Sequence, residues 1–183
     1  GPDSTIEFNR ASSGTTQIIT PRTDYKNLIL SGLSNNKSFT EATTVSGTLT
    51  LNITGTSTST LGANLTVNGV LNFTAGKITT AGNTLTIGAS GSITGAGTGW
   101  VIGNLKKLTA SGVNPSYTYA IGDATNYTPL ELTFSGGTSA AGGLTASTAA
   151  GDHAGITGSG LNASKSVNRT YTLTNDALAG FGT

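Results

Sequence analysis

Cysteine is absent from the 183-residue chain, which removes disulfides, thiolate nucleophiles and cysteine-based metal sites together. The absence does not place the protein inside a cell, because many bacterial surface proteins also lack cysteine. Charge is scarce as well: acidic and basic residues make up 9% of the chain and the formal net charge is +1. The nine basic residues are scattered, with Lys106-Lys107 the only adjacent pair. Neutralising a phosphate backbone needs a basic stripe, so nucleic acid is not an expected partner. No apolar stretch approaches the length that spans a bilayer, so membrane insertion is not expected either.

Glycine, by contrast, fills 27 positions, and Thr, Ser and Asn are abundant. Low charge is common in disordered chains, but those lack regularly placed β-branched and aromatic residues. Here Val, Ile, Leu, Thr, Tyr and Phe recur in short alternating runs such as "NLTVNGVLNF", the pattern of half-buried strands. The expectation is an ordered, nearly all-β chain, long enough for one or two small domains with a real core.

The first half repeats. The doublets Ile6-x-Phe8, Leu28-x-Leu30, Leu49-x-Leu51 and Leu71-x-Phe73 follow one another at intervals of about 22 residues, and Ile93 continues them. Val45, Val67 and Ile87 run in step, and Gly47, Gly69 and Gly91 each precede an inward aliphatic by two residues. This period, built from short strands and Gly/Asn turns, predicts a parallel β-solenoid whose coils stack about 4.8 Å apart. A meander of antiparallel hairpins would place strands at similar spacing but gives no reason for the two-turn period to recur. Leu65, Val67, Leu71 and Phe73 should point inward and Thr66 and Asn72 outward. Asn and Gly should occupy corners, where positive φ is tolerated.

After Trp100 the period disappears. "SYTYAIGD", "YTPLELTFSG", "GGLTASTAAGDH" and "SVNRTYTLT" are longer alternating strands joined by Gly- and Ser-rich loops, as in an antiparallel sandwich. Tyr117, Tyr119 and Ile121 are expected on one face, Leu130, Leu132 and Phe134 on another, with Val167, Tyr171 and Leu173 completing the core. The expected organisation is a short parallel β-solenoid (β-helix) over 3–102, in coils of about 20–22 residues, then an antiparallel β-sandwich-like domain over 103–183. Gly1-Pro2 reads as the scar of a cleaved expression tag, and the ending "AGFGT" suggests a module cut at or near its edge, leaving an open strand.

"STIEFNRASSGTTQI", "YKNLILSG", "TTVSGTLTL", "NTLTIGASGSITG", "YAIGDATNYTPLELTF" and "VNRTYTLT" occur in that order from about Ser4 to Thr174. In this order they resemble the repetitive regions of very large surface proteins of Bacteroidetes, commonly exported by the type IX system and including gliding-type adhesins. The resemblance implies an extracellular, bacterial cell-surface stalk or adhesive module, with neighbouring modules of the same long chain or other copies as partners. It carries no catalytic residues over. The C-terminal sorting domain of such proteins is not seen, as expected for an internal fragment.

β-Solenoids also house polysaccharide-degrading enzymes, which need two carboxylates across the scissile bond. The eight acids (Asp3, Glu7, Asp24, Glu41, Asp123, Glu131, Asp152 and Asp176) place no two on one strand face or on neighbouring coils in register. Glu7, for instance, shares its column with Ile29, Thr50, Asn72 and Thr94. The chain is therefore read as non-enzymatic, with no catalytic, cofactor-binding or metal site. Asp152 and the single histidine, His153, are adjacent on an extended stretch and point apart. "IGDATNYT" offers only Asp123 and Asn126 toward a calcium loop. The Asn-x-Ser/Thr triplets at Asn52, Asn64, Asn72, Asn126 and Asn168 follow from Thr-rich composition rather than marking glycosylation.

Two binding readings stand beside the scaffold. Trp100, Tyr117, Tyr119 and Tyr127 are candidates for stacking on a sugar ring, with surface glycans or a substratum as ligand, although aromatics in a small β-domain are more often core. The Thr48-x-Thr50 and Thr84-x-Thr86 units suggest an ice-binding solenoid. However, the Thr48 column continues through Val70 and Ser92, and the Thr50 column contains Ile29 and Asn72, so the array is broken. Trp100 falls where the two halves meet and is expected to pack there.

Overall fold

The computed structural model describes residues 3–10, 14–33, 36–55 and 57–180. Gly1-Pro2 and residues 181–183 lie outside them, together with the tag-scar reading and the open end inferred from "AGFGT". The chain is all-β and begins as a parallel solenoid whose coils each lay one segment on three faces. The first coil contributes β1 (Thr5–Phe8), β2 (Gln17–Ile19) and a single bridge from Tyr25 to Val45. The second contributes β3 (Asn27–Leu33), β4 (Lys37–Phe39) and β5 (Thr43–Val45). The third has β6 (Thr48–Thr54), β7 (Ser59–Leu61) and β8 (Leu65–Val67). In the fourth, β9 (Val70–Ala75) is followed by β10 (Ile78–Ile87), which turns the corner between the second and third faces. The fifth repeats this with β11 (Ser92–Thr94) and β12 (Val101–Thr109).

The first face is the five-stranded sheet β1-β3-β6-β9-β11. Its register runs Ile6, Leu28, Leu49, Leu71, Ile93 in one inward column and Phe8, Leu30, Leu51, Phe73 in the next. These are the doublets of the sequence period, stacked as expected; the middle members are fully buried and Ile6, on the end coil, is half-exposed. Burying each such side chain is worth roughly 1.5–3 kcal/mol, so the column contributes directly to the drive to wind the coil. Glu7, Ile29, Thr50, Asn72 and Thr94 form the outward column between them.

The third face carries Val45, Val67 and Ile87 in register, with Leu65, Leu85 and Leu105 in the column alongside. On the second face the inward column is Gln17, Lys37, Ser59, Ile78, Val101 and Ile121, polar at one end and aliphatic at the other. Lys37 is completely buried there; its Nζ donates to Gln17 Oε1 at 2.7 Å and to the Arg10 carbonyl at 3.2 Å. These acceptors offset part of the cost of enclosing an ammonium group.

The corners divide into two kinds. Gly76, after β9, has φ of +95°, the left-handed region expected of a tight bend. Gly47, Gly69 and Gly91 do not have positive φ; their column exists because successive coils touch there. A Cβ on Gly69 would lie 2.2 Å from the Gly47 carbonyl oxygen, and one on Gly91 would lie 2.8 Å from that of Gly69.

Beyond β12 the parallel ladder continues only on the second face, and the rest of the sheet turns antiparallel. β13 (Ser116–Tyr119) precedes β14 (Ile121–Gly122), which adds a parallel segment to β12 on the second face, and β15 (Leu130–Thr133) returns antiparallel to β13. β16 (Gly142–Ala150) runs antiparallel along the third-face part of β12, and β17 (Arg169–Asp176) runs antiparallel to β16. Tyr119 and Ile121 are fully buried, while Tyr117, Leu130, Leu132 and Phe134 pack partly buried against the core. Tyr117 and Tyr119 lie directly opposite Leu132 and Leu130 on the paired strands.

The expected contribution of Val167, Tyr171 and Leu173 to the core is corrected: they are 87%, 39% and 47% exposed. Strand β17 ends its sheet, bonded to β16 on one side only. Tyr171 and Leu173 keep their alternation on this edge strand without gaining cover, and Val167 precedes the strand, in the connection from β16.

Candidate functional site

The sugar-platform candidates separate into two pairs. Trp100 lies at the entry to β12, and its ring is closed over by the loop after β14. The indole Nε1 donates to the Asp123 carbonyl at 2.8 Å, the Tyr127 ring centroid is 5.8 Å away at a tilt of 37°, and Lys77 Nζ sits 4.2 Å above the ring. Only 9% of Trp100 is exposed, so it packs where the last coil meets the segment beyond it. Tyr117 and Tyr119 form the second pair, edge to face at 6.0 Å. The Tyr119 ring is wholly enclosed and its hydroxyl donates to the Leu144 carbonyl at 2.9 Å. Of the four aromatics, Tyr117 and Tyr127 retain partial exposure.

Asp123 organises the loop beneath Trp100. Its Oδ1 accepts from the backbone N–H of Thr125 at 2.8 Å and of Asn126 at 2.7 Å, and its Oδ2 meets Arg169 of β17 at 2.6 Å. The Arg169 guanidinium first, and then the Asn126 and Thr125 amides, hold the carboxyl well below the usual carboxylate range. Its oxygens are thus occupied by donors, which is the reverse of what a cation site needs. Among the described residues no group of three or more His, Asp or Glu side chains is placed to hold a metal ion.

The loop between β16 and β17 forms an open depression of about 230 Å³ bordered by Asp152, His153, Ser166 and Arg169. This is where a triad would be sought. His153 Nδ1 accepts from the Gly155 amide at 3.1 Å, the Asp152 carboxylate takes the Ser166 hydroxyl, and Arg169 turns to Asp123. Among the described residues no hydrogen bond joins His153 to Asp152 or to a serine. Elsewhere Asp24 pairs with Arg22 at 2.7 Å, Asp176 with Lys106, and Glu7 accepts from Ser31 at 2.5 Å.

A third feature was missed from sequence. Lys107 continues the inward column Val45–Val67–Ile87, so its side chain enters the solenoid end instead of solvent. It is 8% exposed, and its Nζ donates to the Gly91 carbonyl at 2.9 Å and lies 5.7 Å from the Tyr117 ring centroid. A groove of about 390 Å³ opens beside it. The interval of the Val45–Val67–Ile87 column leads to Lys107, but the alternation beyond Trp100 masks it. On the outer third face Thr44, Thr66 and Thr86 stand in one column, an alignment that the Thr48-x-Thr50 and Thr84-x-Thr86 units did not show. The expected Thr48 and Thr50 columns are broken as anticipated.

The titratable groups give the fold an asymmetric pH profile. Burial lowers the pKa of Lys37 and Lys107 from 10.5, so between their folded values and 10.5 the unfolded chain holds more protons and stability rises with pH. Burial raises Tyr25, Tyr117, Tyr119 and Tyr127 above 10.0. Above about pH 10 the unfolded chain therefore loses protons first, and stability falls. Thermal melts across the alkaline range should pass through a maximum near pH 10, and Lys107→Met should flatten the rising limb. A melting temperature that declines steadily from pH 8 would contradict this.

No family model, curated protein or solved structure matches the chain.

Proposed function

We propose that the chain is a non-enzymatic structural and adhesive module of an extracellular bacterial surface protein, acting as a rigid, extended scaffold. The observation that carries this is the parallel ladder: inward columns on three faces stay in register from coil to coil, with register shifts confined to the corners after Leu51 and between Thr79 and Thr84. Such a stack resists bending because every coil is bonded to both neighbours, and repetition along a longer chain would add reach and avidity. The sequence resemblance to large exported surface proteins supports the same reading.

In the source cells, antibodies against the chain should label intact, unpermeabilised surfaces. In-frame removal of this stretch from the parent gene should weaken attachment to a substratum. Labelling that requires permeabilisation, or a deletion that abolishes an enzymatic activity and leaves attachment intact, would overturn the proposal. The alternative of an ice-binding solenoid draws on the Thr44–Thr66–Thr86 column, which gives way to Lys106 on the fifth coil, and is removed by an absence of thermal hysteresis.

A further inference from the structure

A buried ammonium group normally sits against a carboxylate or a set of carbonyls, because removing it from water costs several kcal/mol. Lys37 meets that rule with two acceptors. Lys107 meets it less well: one carbonyl, Gly91, accepts from its Nζ, and among the described residues no carboxylate oxygen lies within ion-pair distance. The residue is more than nine-tenths buried, yet it lines an open groove of about 390 Å³. The groove is bordered by Ser92 and Ile93 of the last first-face strand and by Tyr117 of β13; Ser116 and Thr118 alternate with Tyr117 along the strand, and the Ser116 hydroxyl pairs with that of Thr133 at 3.1 Å. One wall thus offers a half-buried tyrosine ring, and the floor offers a cation with donor capacity to spare.

From this arrangement we infer that the groove between β11 and β13 binds a carboxylate-bearing sugar, with Lys107 taking the carboxylate and Tyr117 lying against the ring. A bare inorganic anion would use the charge alone and leave the tyrosine idle. A neutral sugar would leave the ammonium uncompensated. A uronic acid residue of an anionic polysaccharide engages both, through a charge-assisted hydrogen bond and contact with an aromatic face. The site is independent of the scaffold proposal: a rigid module without it remains a scaffold, and an intracellular chain with it remains a uronate binder.

The test is titration of the full chain with a short oligogalacturonate, followed by calorimetry and by the amide and ring resonances of Ser116, Tyr117 and Thr118. Saturable binding is expected, with shifts concentrated at those residues and at Ser92. Lys107→Met should weaken it about tenfold or more, while Lys165→Met, an exposed lysine outside the groove, should leave it unchanged. The methionine variant is expected to fold, because Val45, Val67 and Ile87 occupy the same column on earlier coils. If it does not, the resonance map on the unmodified chain and Tyr117→Leu still decide the matter. Absence of saturable binding, equal affinity for a neutral galactose oligomer, equal affinity for acetate, or shifts confined to other surfaces would each overturn the inference.

Discussion

Gly69→Ala is expected to destabilise the fold by about 3 kcal/mol or more, at the upper end of what overpacking by one methyl group does. The cause is contact between coils and not backbone conformation. Its φ is not positive, so alanine could adopt the local geometry, and on entropy alone would stabilise slightly. The new Cβ, however, would stand 2.2 Å from the Gly47 carbonyl oxygen and 2.8 Å from its carbon. That oxygen cannot withdraw, because it accepts the Val70 amide at 3.0 Å, while the Gly69 carbonyl accepts the Ser92 amide at 3.0 Å. Relief therefore requires separating two coils and lengthening inter-coil bonds on both sides. Gly158→Ala is the matched control: no atom lies within 4 Å of the added methyl group, and its φ is ordinary. Urea melts should show a lower midpoint for Gly69→Ala and a change within about 0.5 kcal/mol for Gly158→Ala. Equal midpoints would mean that the coils are not in contact at this corner.

The same corner shows how far the sequence could be read. The Gly47–Gly69–Gly91 column was visible as a period, and so were the Leu28–Leu49–Leu71 and Val45–Val67–Ile87 columns, because stacking in register makes side-chain identity recur at the coil length. The reason for the glycines was not visible, since positive φ and close approach leave the same residue behind. The second face was harder to read. Its inward column runs Gln17, Lys37, Ser59, Ile78, Val101, Ile121, and a polar-to-aliphatic change along one column hides its periodicity from any hydrophobic pattern. The continuation past Trp100 was hidden for a related reason. β12 carries both the last coil and the first antiparallel pairing, with β16, so the repeat and the longer alternation overlap in one strand. Lys107 belongs to both patterns, and its chemistry follows from the column position and not from the residues beside it in the chain. Tyr171 and Leu173 have the alternation of a core strand, but burial depends on what covers a strand, which alternation does not encode.

Trp100→Ala is expected to cost about 3–5 kcal/mol, the range for removing a large enclosed aromatic, and to loosen the segment after β14 more than the coils before it. The ring fills the space between the last coil and that segment so closely that a Cβ on Gly122 would lie 2.7 Å from its Nε1. Three independent contacts end on it: the Asp123 carbonyl, the Tyr127 ring and the Lys77 ammonium. Asp123 in turn holds Arg169, so the indole connects the fourth coil, the fifth coil and the edge strand β17. Trp100→Phe keeps the packing and loses the hydrogen bond, and should cost about 1 kcal/mol plus the size difference. A double-mutant cycle with Lys77→Met should return a coupling of about 0.5–2 kcal/mol. Because Trp100 is the only tryptophan, unfolding of the alanine variant has to be followed by circular dichroism, with hydrogen exchange reporting where protection is lost. Faster exchange confined to Ile121–Thr128 and β17, with the Leu28, Leu49 and Leu71 amides still protected, is the expected pattern. A loss below 1 kcal/mol, or an equal loss of protection along all coils, would mean that this ring adds little to the joint that β12 makes with β14 and β16.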